Sequence, residues 1–186
     1  MSPLGERTAV RIATFRPELA PAFDRLNRAW IARLFTLEPL DEEYLGDPQG
    51  HIIDPGGEIF FALEGGRVLG TCAVIPAGDG IFELAKLAVD PAAQGRGLGW
   101  TLVEAALGFA RNRRANRVIL VSNSTLVPAL RLYASLGFRE LPFPGPRPYA
   151  DADLYMELTL SPDRPAPGRG VGPAPAEPVA APGHHR

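Results

Sequence analysis

The stretch AKLAVDPAAQGRGLGWTLVEAAL, residues 85–107, carries the clearest chemistry in the 186-residue chain. A strand pattern runs into Asp90-Pro91, then Gln94-Gly95-Arg96-Gly97-Leu98-Gly99, then a helix pattern. Glycines let backbone N–H groups approach a ligand closely. The helix start adds unbonded N–H donors and a partial positive charge. Together they predict an anion site suited to a phosphate or pyrophosphate. A dinucleotide fingerprint would need a third glycine where Trp100 stands. A P-loop would need Lys and then Ser or Thr after its second glycine, and neither follows. The pattern Q/R-x-x-G-x-G/A, after a strand and opening a helix, is met by Gln94, Gly97 and Gly99. On this motif alone, a glycine-rich turn that binds nothing is the alternative.

Other reactive side chains are sparse. Cys72, in the apolar run GTCAVI, has no His near it in sequence and reads as an inert core thiol. Lys86 is the only lysine beside 18 arginines, an imbalance read as codon bias of a GC-rich genome. It is expected to be a salt-bridge partner on its strand. His184 and His185 could bind a metal, but a pair at a chain end is read as adventitious, and no metal site is expected.

The elements that must position the glycine loop follow from periodicity. Residues 8–15 alternate as a first strand. Leu19, Phe23, Leu26, Trp30 and Leu34 recur at helical spacing, which predicts an amphipathic helix over 18–35. A short helix is expected over 41–45. Residues 58–63 and 67–75 flank Gly65-Gly66 as a hairpin, and 81–89 continues an antiparallel meander. A helix over 97–113, a strand over 117–121, a helix over 126–136 closed by Gly137, and a strand over 153–160 complete the order. The fold class is α/β, a mixed sheet with flanking helices.

One folded unit is expected, over residues 6–160. Its 46% hydrophobic and 22% charged composition, computed over the whole chain, is that of a globular protein. A net charge of -2 gives no sign of a nucleic-acid surface. A single cysteine fits a reducing compartment. No apolar run reaches the roughly 18 residues that cross a membrane. The start MSPLGERTAV lacks the order of a signal peptide, so a cytoplasmic location is expected. In residues 161–186, Pro, Ala and Gly supply 16 of 26 positions, which predicts a disordered tail. A proline-rich docking motif is the alternative there.

With the glycine loop, two further segments resemble the GNAT (Gcn5-related) N-acetyltransferases. ALRLYASLGF, residues 129–138, is similar to that family's A-x-x-L-Y-x-x-x-G-F signature, and DLYMELTL fits its closing strand. Glu38 to Asp41 and Gly56 to Ala62 resemble the E-P-x-D and G-G-x-I-F-x-A segments of a bacterial stand-alone subgroup. The resemblance implies a mixed, mostly antiparallel central sheet splayed between strands 4 and 5. It also implies transfer of an acetyl group from acetyl-CoA to a primary amine of a small molecule or protein.

Residue by residue, the resemblance places Leu87, Ala88 and Val89 along the pantetheine arm. The loop Gln94, Gly95, Arg96, Gly97, Leu98 and Gly99 would hold the pyrophosphate through main-chain N–H groups. Tyr133 matches the family's acid, which protonates the departing thiolate; a packed helix tyrosine is the alternative. Glu83, eleven residues before Gln94, matches a base position, and a base working through water calls for a carboxyl raised by burial. An edge carboxylate paired with an arginine is the alternative. Strand alternation sets Glu83, Ala85, Leu87 and Val89 on one face and Lys86 on the other, unless a bulge intervenes. Many members carry Asn where Leu126 stands, so Asn123 is expected to substitute.

Acceptor specificity is implied for residues 28–57 and 142–151, with Glu38, Tyr44 and Tyr149 as contacts. Glu38, Asp41, Glu42 and Glu43 would form an acidic rim favouring a cationic amine; a solvated helix start is the alternative. A non-catalytic acyl-CoA sensor keeping only the cofactor site is the rival function. Longer acyl groups and aminoacyl acceptors are chemically adjacent. A homodimer is compatible with the resemblance, and no stretch marks an interface.

Overall fold

The computed structural model describes residues 9–160. The expected tail, with His184 and His185, and the residues before 9, including Thr8, lie outside them. The strands are β1 (Arg11–Ala13), β2 (Glu58–Glu64), β3 (Arg67–Gly78), β4 (Ile81–Val89), β5 (Arg117–Ser122), β6 (Arg139–Leu141) and β7 (Leu154–Thr159). The helices are α1 (Ala20–Leu34), α2 (Pro39–Gly46), α3 (Leu98–Asn112) and α4 (Val127–Ser135). The strands form one sheet in the order β1-β2-β3-β4-β5-β7-β6, in which only β4 and β5 run parallel.

Local sequence explains the connections. Gly65 and Gly66 both take positive φ, as a two-residue hairpin between right-twisted strands requires. Gly137 takes φ 96° just beyond α4, the left-handed stop that favours glycine. Glu38 opens α2 with a reciprocal capping box to Asp41.

Two adjacent β3 residues fix which helix covers which face. A Cβ built on Gly70 would stand 2.9 Å from Leu102 Cδ1 of α3, so α3 rests directly on the backbone there. The next residue, Thr71, accepts a 3.1 Å hydrogen bond from Asn27 Nδ2 of α1. Neighbouring side chains on a strand point to opposite faces, so α1 and α3 cover opposite faces of the sheet. Phe23, Leu26 and Trp30 of α1 and Leu102, Val103 and Ala106 of α3 are buried in the core. Among the described residues no helix is long and apolar enough to cross a membrane.

Candidate active site

The parallel strands part in the middle of the sheet. β4 and β5 pair only at Ile81–Arg117, Phe82–Val118 and Glu83–Ile119. Beyond that point β4 runs on to Val89 and β5 to Ser122 without pairing to each other. Leu87, Ala88 and Val89 are therefore on a stretch of β4 whose β5-facing edge is not occupied by β5.

A bulge accompanies the parting. Thr71 is paired with Ala88 but Ala73 with Ala85, so Lys86 and Leu87 together oppose Cys72. Lys86 takes φ 52°, a left-handed conformation that costs a non-glycine residue about 1–2 kcal/mol. Such a bulge bends its strand and raises the local twist. It also corrects the expected alternation. Glu83 and Ala85 pair with Ile75 and Ala73, on the α1 side with Thr71, whereas Val89 pairs with Gly70, on the α3 side. Lys86 is turned to the Glu83 side and not away from it. Its ammonium pairs with the Asp41 carboxylate of α2 and lies 5.7 Å and 5.5 Å from the Tyr44 and Tyr149 ring centroids. Burial lowers the Lys86 pKa, against the opposing pull of Asp41 and Glu83.

On the α3 side, the glycine loop enters the helix as the sequence leads one to expect. Asp90 fixes its start: Oδ1 accepts from Ala92 N–H at 2.9 Å and Oδ2 from Arg67 at 2.7 Å. Gly95 and Gly97 take φ 79° and 73°. Gly97 caps α3 with no side-chain hydrogen bond to the first turn, which leaves the leading N–H groups to a ligand or solvent. The Arg96 guanidinium is turned to Glu64 at 2.6 Å.

Tyr133 of α4 is fully buried, 5.8 Å from the Phe138 ring, and its hydroxyl has no hydrogen-bond partner among the described residues. Burial pushes its pKa up, and the nearby Cys72 thiol adds to the shift. Since Cys72 opposes the bulge, Tyr133 reaches the parted strands from the α3 side. Glu83 is 1% exposed on the other side, and its charge acts on Tyr44, Tyr155 and Lys86.

A cleft opens on the α1–α2 side. Trp30, Ile31, Phe35, Thr36, Glu38 and Asp41 line it from the first expected acceptor region, and Tyr149 and Asp151 from the second. Lys86, Ser122, Asn123 and Leu126 complete it. Tyr44 does not line it: the ring is 1% exposed and stands beside Lys86. Of the four acids expected to form a rim, Glu38 and Asp41 line the cleft, whereas Glu42 and Glu43 do not. Asp41 is taken by Lys86, Glu42 by Arg28 at 2.7 Å, and Glu38 Oε1 accepts from Ala150 N–H at 3.0 Å. Asn123 is engaged within the protein, donating to the Asp151 carbonyl at 2.6 Å and accepting from Thr125 N–H at 2.9 Å. Lys86, expected only as a salt-bridge partner, and Ser122 are cleft residues that the sequence did not assign to the acceptor side. Only the polar run Ser122-Asn123-Ser124 at a strand end hinted at the second.

With the glycine loop, the parted strands and the buried tyrosine in place, comparison with known proteins is decisive for the family. Residues 20–138 match the acetyltransferase (GNAT) family, and the chain belongs to it. It is similar to the mycothiol acetyltransferase of Acidothermus cellulolyticus, 36% identical over 152 residues, covering 70% of this chain and 45% of that protein. The mycothiol acetyltransferase of Thermomonospora curvata is 36% identical over 148 residues, covering 74% and 48%. The chain thus spans about half the length of these relatives. A GNAT-family acetyltransferase structure from Staphylococcus aureus superposes with a TM-score of 0.74 at 17% identity, covering 82% of this chain and 100% of that one. The Salmonella typhimurium protein yncA, solved with its cofactor acetyl-CoA, gives a TM-score of 0.63 at 23% identity, covering 86% and 98%. Among the described residues no cluster of His, Cys, Asp and Glu could hold a metal ion.

Proposed function

We propose that the protein transfers the acetyl group of acetyl-CoA to a primary amine. The observation that carries this reading is the Tyr133 hydroxyl, buried beside the parted strands with no partner of its own. An orphaned buried donor calls for an explanation, and a ligand atom seated there supplies one. The glycine loop fits the pyrophosphate of acetyl-CoA, and Leu87, Ala88 and Val89 fit its pantetheine arm. The Val89 backbone N–H is the candidate donor to the thioester carbonyl oxygen, whose charge grows in the transition state.

The remaining steps fall to side chains of this chain. An amine acceptor is mostly an ammonium at neutral pH, since its pKa is about 10. Glu83 takes a proton from it, through water. The nitrogen then bonds to the acyl carbon as the carbon–sulfur bond breaks; Tyr133 gives its proton to the leaving thiolate, and the second proton shed by the nitrogen passes through water to restore the phenol. Upward pressure on the Tyr133 pKa keeps that phenol protonated and able to donate.

The two mycothiol acetyltransferases named above place a mycothiol-related amine among the acceptors to try. The test is release of free thiol from acetyl-CoA against that amine, polyamines, amino sugars, amino acids and lysine peptides, with cofactor binding followed by calorimetry. Amine-dependent release that Tyr133→Phe abolishes, with acetyl-CoA binding retained, supports the reading. Acetyl-CoA binding without release on any amine points to an acyl-CoA sensor instead.

A further inference from the structure

One wall of the cleft belongs to no strand or helix. Tyr149 and Asp151 line it from the segment between β6 and β7. The residues that follow are fastened to the end of β5. Ser122 pairs with Leu154, and its carbonyl accepts from Asp153 N–H at 3.2 Å. The Asp153 carboxylate accepts from Ser124 N–H at 2.7 Å and from the Ser124 hydroxyl at 2.5 Å. These bonds serve the sheet.

Two further bonds reach past the sheet to the wall itself. Glu38, the N-cap of α2, accepts from Ala150 N–H at 3.0 Å, and Asn123 Nδ2 donates to the Asp151 carbonyl at 2.6 Å. They grip the two ends of the dipeptide Ala150-Asp151, beside the buried Tyr149 ring. Both Glu38 and Asn123 are themselves cleft residues. The Asn123 amide is oriented for this contact. Its Oδ1 accepts from Thr125 N–H at 2.9 Å and from the Thr125 hydroxyl at 2.5 Å, which turns its donor group to the wall. The two gripping bonds are open to solvent, and one hydrogen bond is a modest net contributor to stability. Losing one should loosen the wall and leave the sheet intact.

Resting on the acetyltransferase reading, we infer that Asn123 and Glu38 are positioning residues that latch the Tyr149–Asp151 wall against the acceptor and so aim its amine at the thioester. Attack needs the reacting atoms about 3–3.5 Å apart, so a wall that shifts slightly is felt as lost rate. Asn123 then serves the acceptor, not the cofactor contact that the family resemblance implied.

The test uses the full chain in the thiol-release assay with the amines of the panel above, spermidine, glucosamine, serine and a lysine peptide among them. Asn123→Ala deletes the latch. Asn123→Asp keeps the oxygen to which Thr125 donates but has no N–H for Asp151. Each should lower kcat/KM for the acceptor by about fivefold, the worth of one hydrogen bond, and leave KM for acetyl-CoA unchanged. Melting should fall by no more than about 4 °C. Hydrogen exchange at the Ala150 amide, the other gripped end, should quicken in both variants, which a purely local role of Asn123 would not produce. Glu38→Ala should act in the same direction, but it also removes the α2 cap, so the Asn123 variants decide. Unchanged acceptor kinetics, or unchanged exchange at Ala150, overturns the latch while sparing the acetyltransferase reading. So does a change confined to KM for acetyl-CoA, which would make Asn123 a cofactor contact. A gain on spermidine with Asn123→Asp overturns it too, since a charge and not a position would then be at work. Acetyl-CoA binding with no amine of the panel acetylated removes both readings together.

Discussion

The ammonium of Lys86, on a bulge of β4, is paired with the carboxylate of Asp41, on α2, with side-chain exposures of 0% and 4%. The second Asp41 oxygen accepts from the Glu38 backbone N–H at 2.9 Å. One carboxylate thus ties the start of α2 to the floor of the cleft.

Removing only one partner of this pair should be severe. Asp41→Asn leaves a buried cation without its counter-ion and should cost about 3–5 kcal/mol in urea unfolding. Asp41→Leu combined with Lys86→Met should recover most of that loss, because two charges need no longer be desolvated. A double variant as unstable as Asp41→Asn would contradict the pairing. Burial lowers the Lys86 pKa below its ordinary 10.5, so the unfolded chain holds that proton more tightly. Between the lowered folded value and 10.5, the Lys86 contribution to stability should rise with pH. The urea midpoint of wild type relative to Lys86→Met should therefore climb through the alkaline range.

Tyr133→Phe should separate chemistry from folding. The hydroxyl has no partner to lose, so the melting temperature should not fall. A general acid contributes about 10²-fold or more, so kcat should drop by at least that factor with acetyl-CoA affinity retained. A variant that melts early and turns over normally would assign the hydroxyl a structural role.

Glu83→Gln should lower kcat by a similar factor of about 10² and flatten the acid limb of the pH–rate profile. Acetyl-CoA affinity, read by calorimetry, should hold. An unaltered profile would remove Glu83 from the proton path.

The glycine loop should act through its backbone. Arg96 is turned to Glu64 at 2.6 Å on the exposed side of the loop, so Arg96→Ala should weaken acetyl-CoA binding less than about fivefold. Gly97→Ala meets no atom within 4 Å but must hold φ 73°, a strain of about 1–2 kcal/mol. It should weaken binding more than Arg96→Ala does. The reverse order in calorimetry would place the binding in the arginine side chain.

Asp90 links that loop to pH. Burial raises its carboxyl pKa, but the Ala92 N–H and the Arg67 and Arg25 charges outweigh burial and hold it below the ordinary 3.8. A depressed carboxyl stabilises above its unfolded value and loses that contribution as pH falls through the folded one. Asp90→Asn should therefore cost about 1 kcal/mol at neutral pH, and the gap should close in acid. A gap that persists there would mean the charge is not the source.

Much of this site was legible because it is local. The loop Gln94 to Gly99 and its helix are contiguous, and Gly65-Gly66 declares its hairpin. Other features depend on distance. Asp41 and Lys86 are 45 positions apart, so no periodicity pairs them. The bulge at Lys86 leaves the apolar pattern of β4 intact, so alternation put that side chain on the wrong face. Of the expected first strand, only Arg11–Ala13 find partners on β2 among the described residues. β6 went unread because three exposed residues show no pattern, and the helical turn Gln49–Ile53 because its Pro and Gly setting resembles a loop.

The burial of Lys86 has a chemical consequence for the protein as a reagent. It is the only lysine in the chain, and none of its side chain reaches the surface. The same fact makes amine-directed labels silent toward its lysine until β4 opens, so uptake of such a label at residue 86 reports unfolding of the sheet's centre.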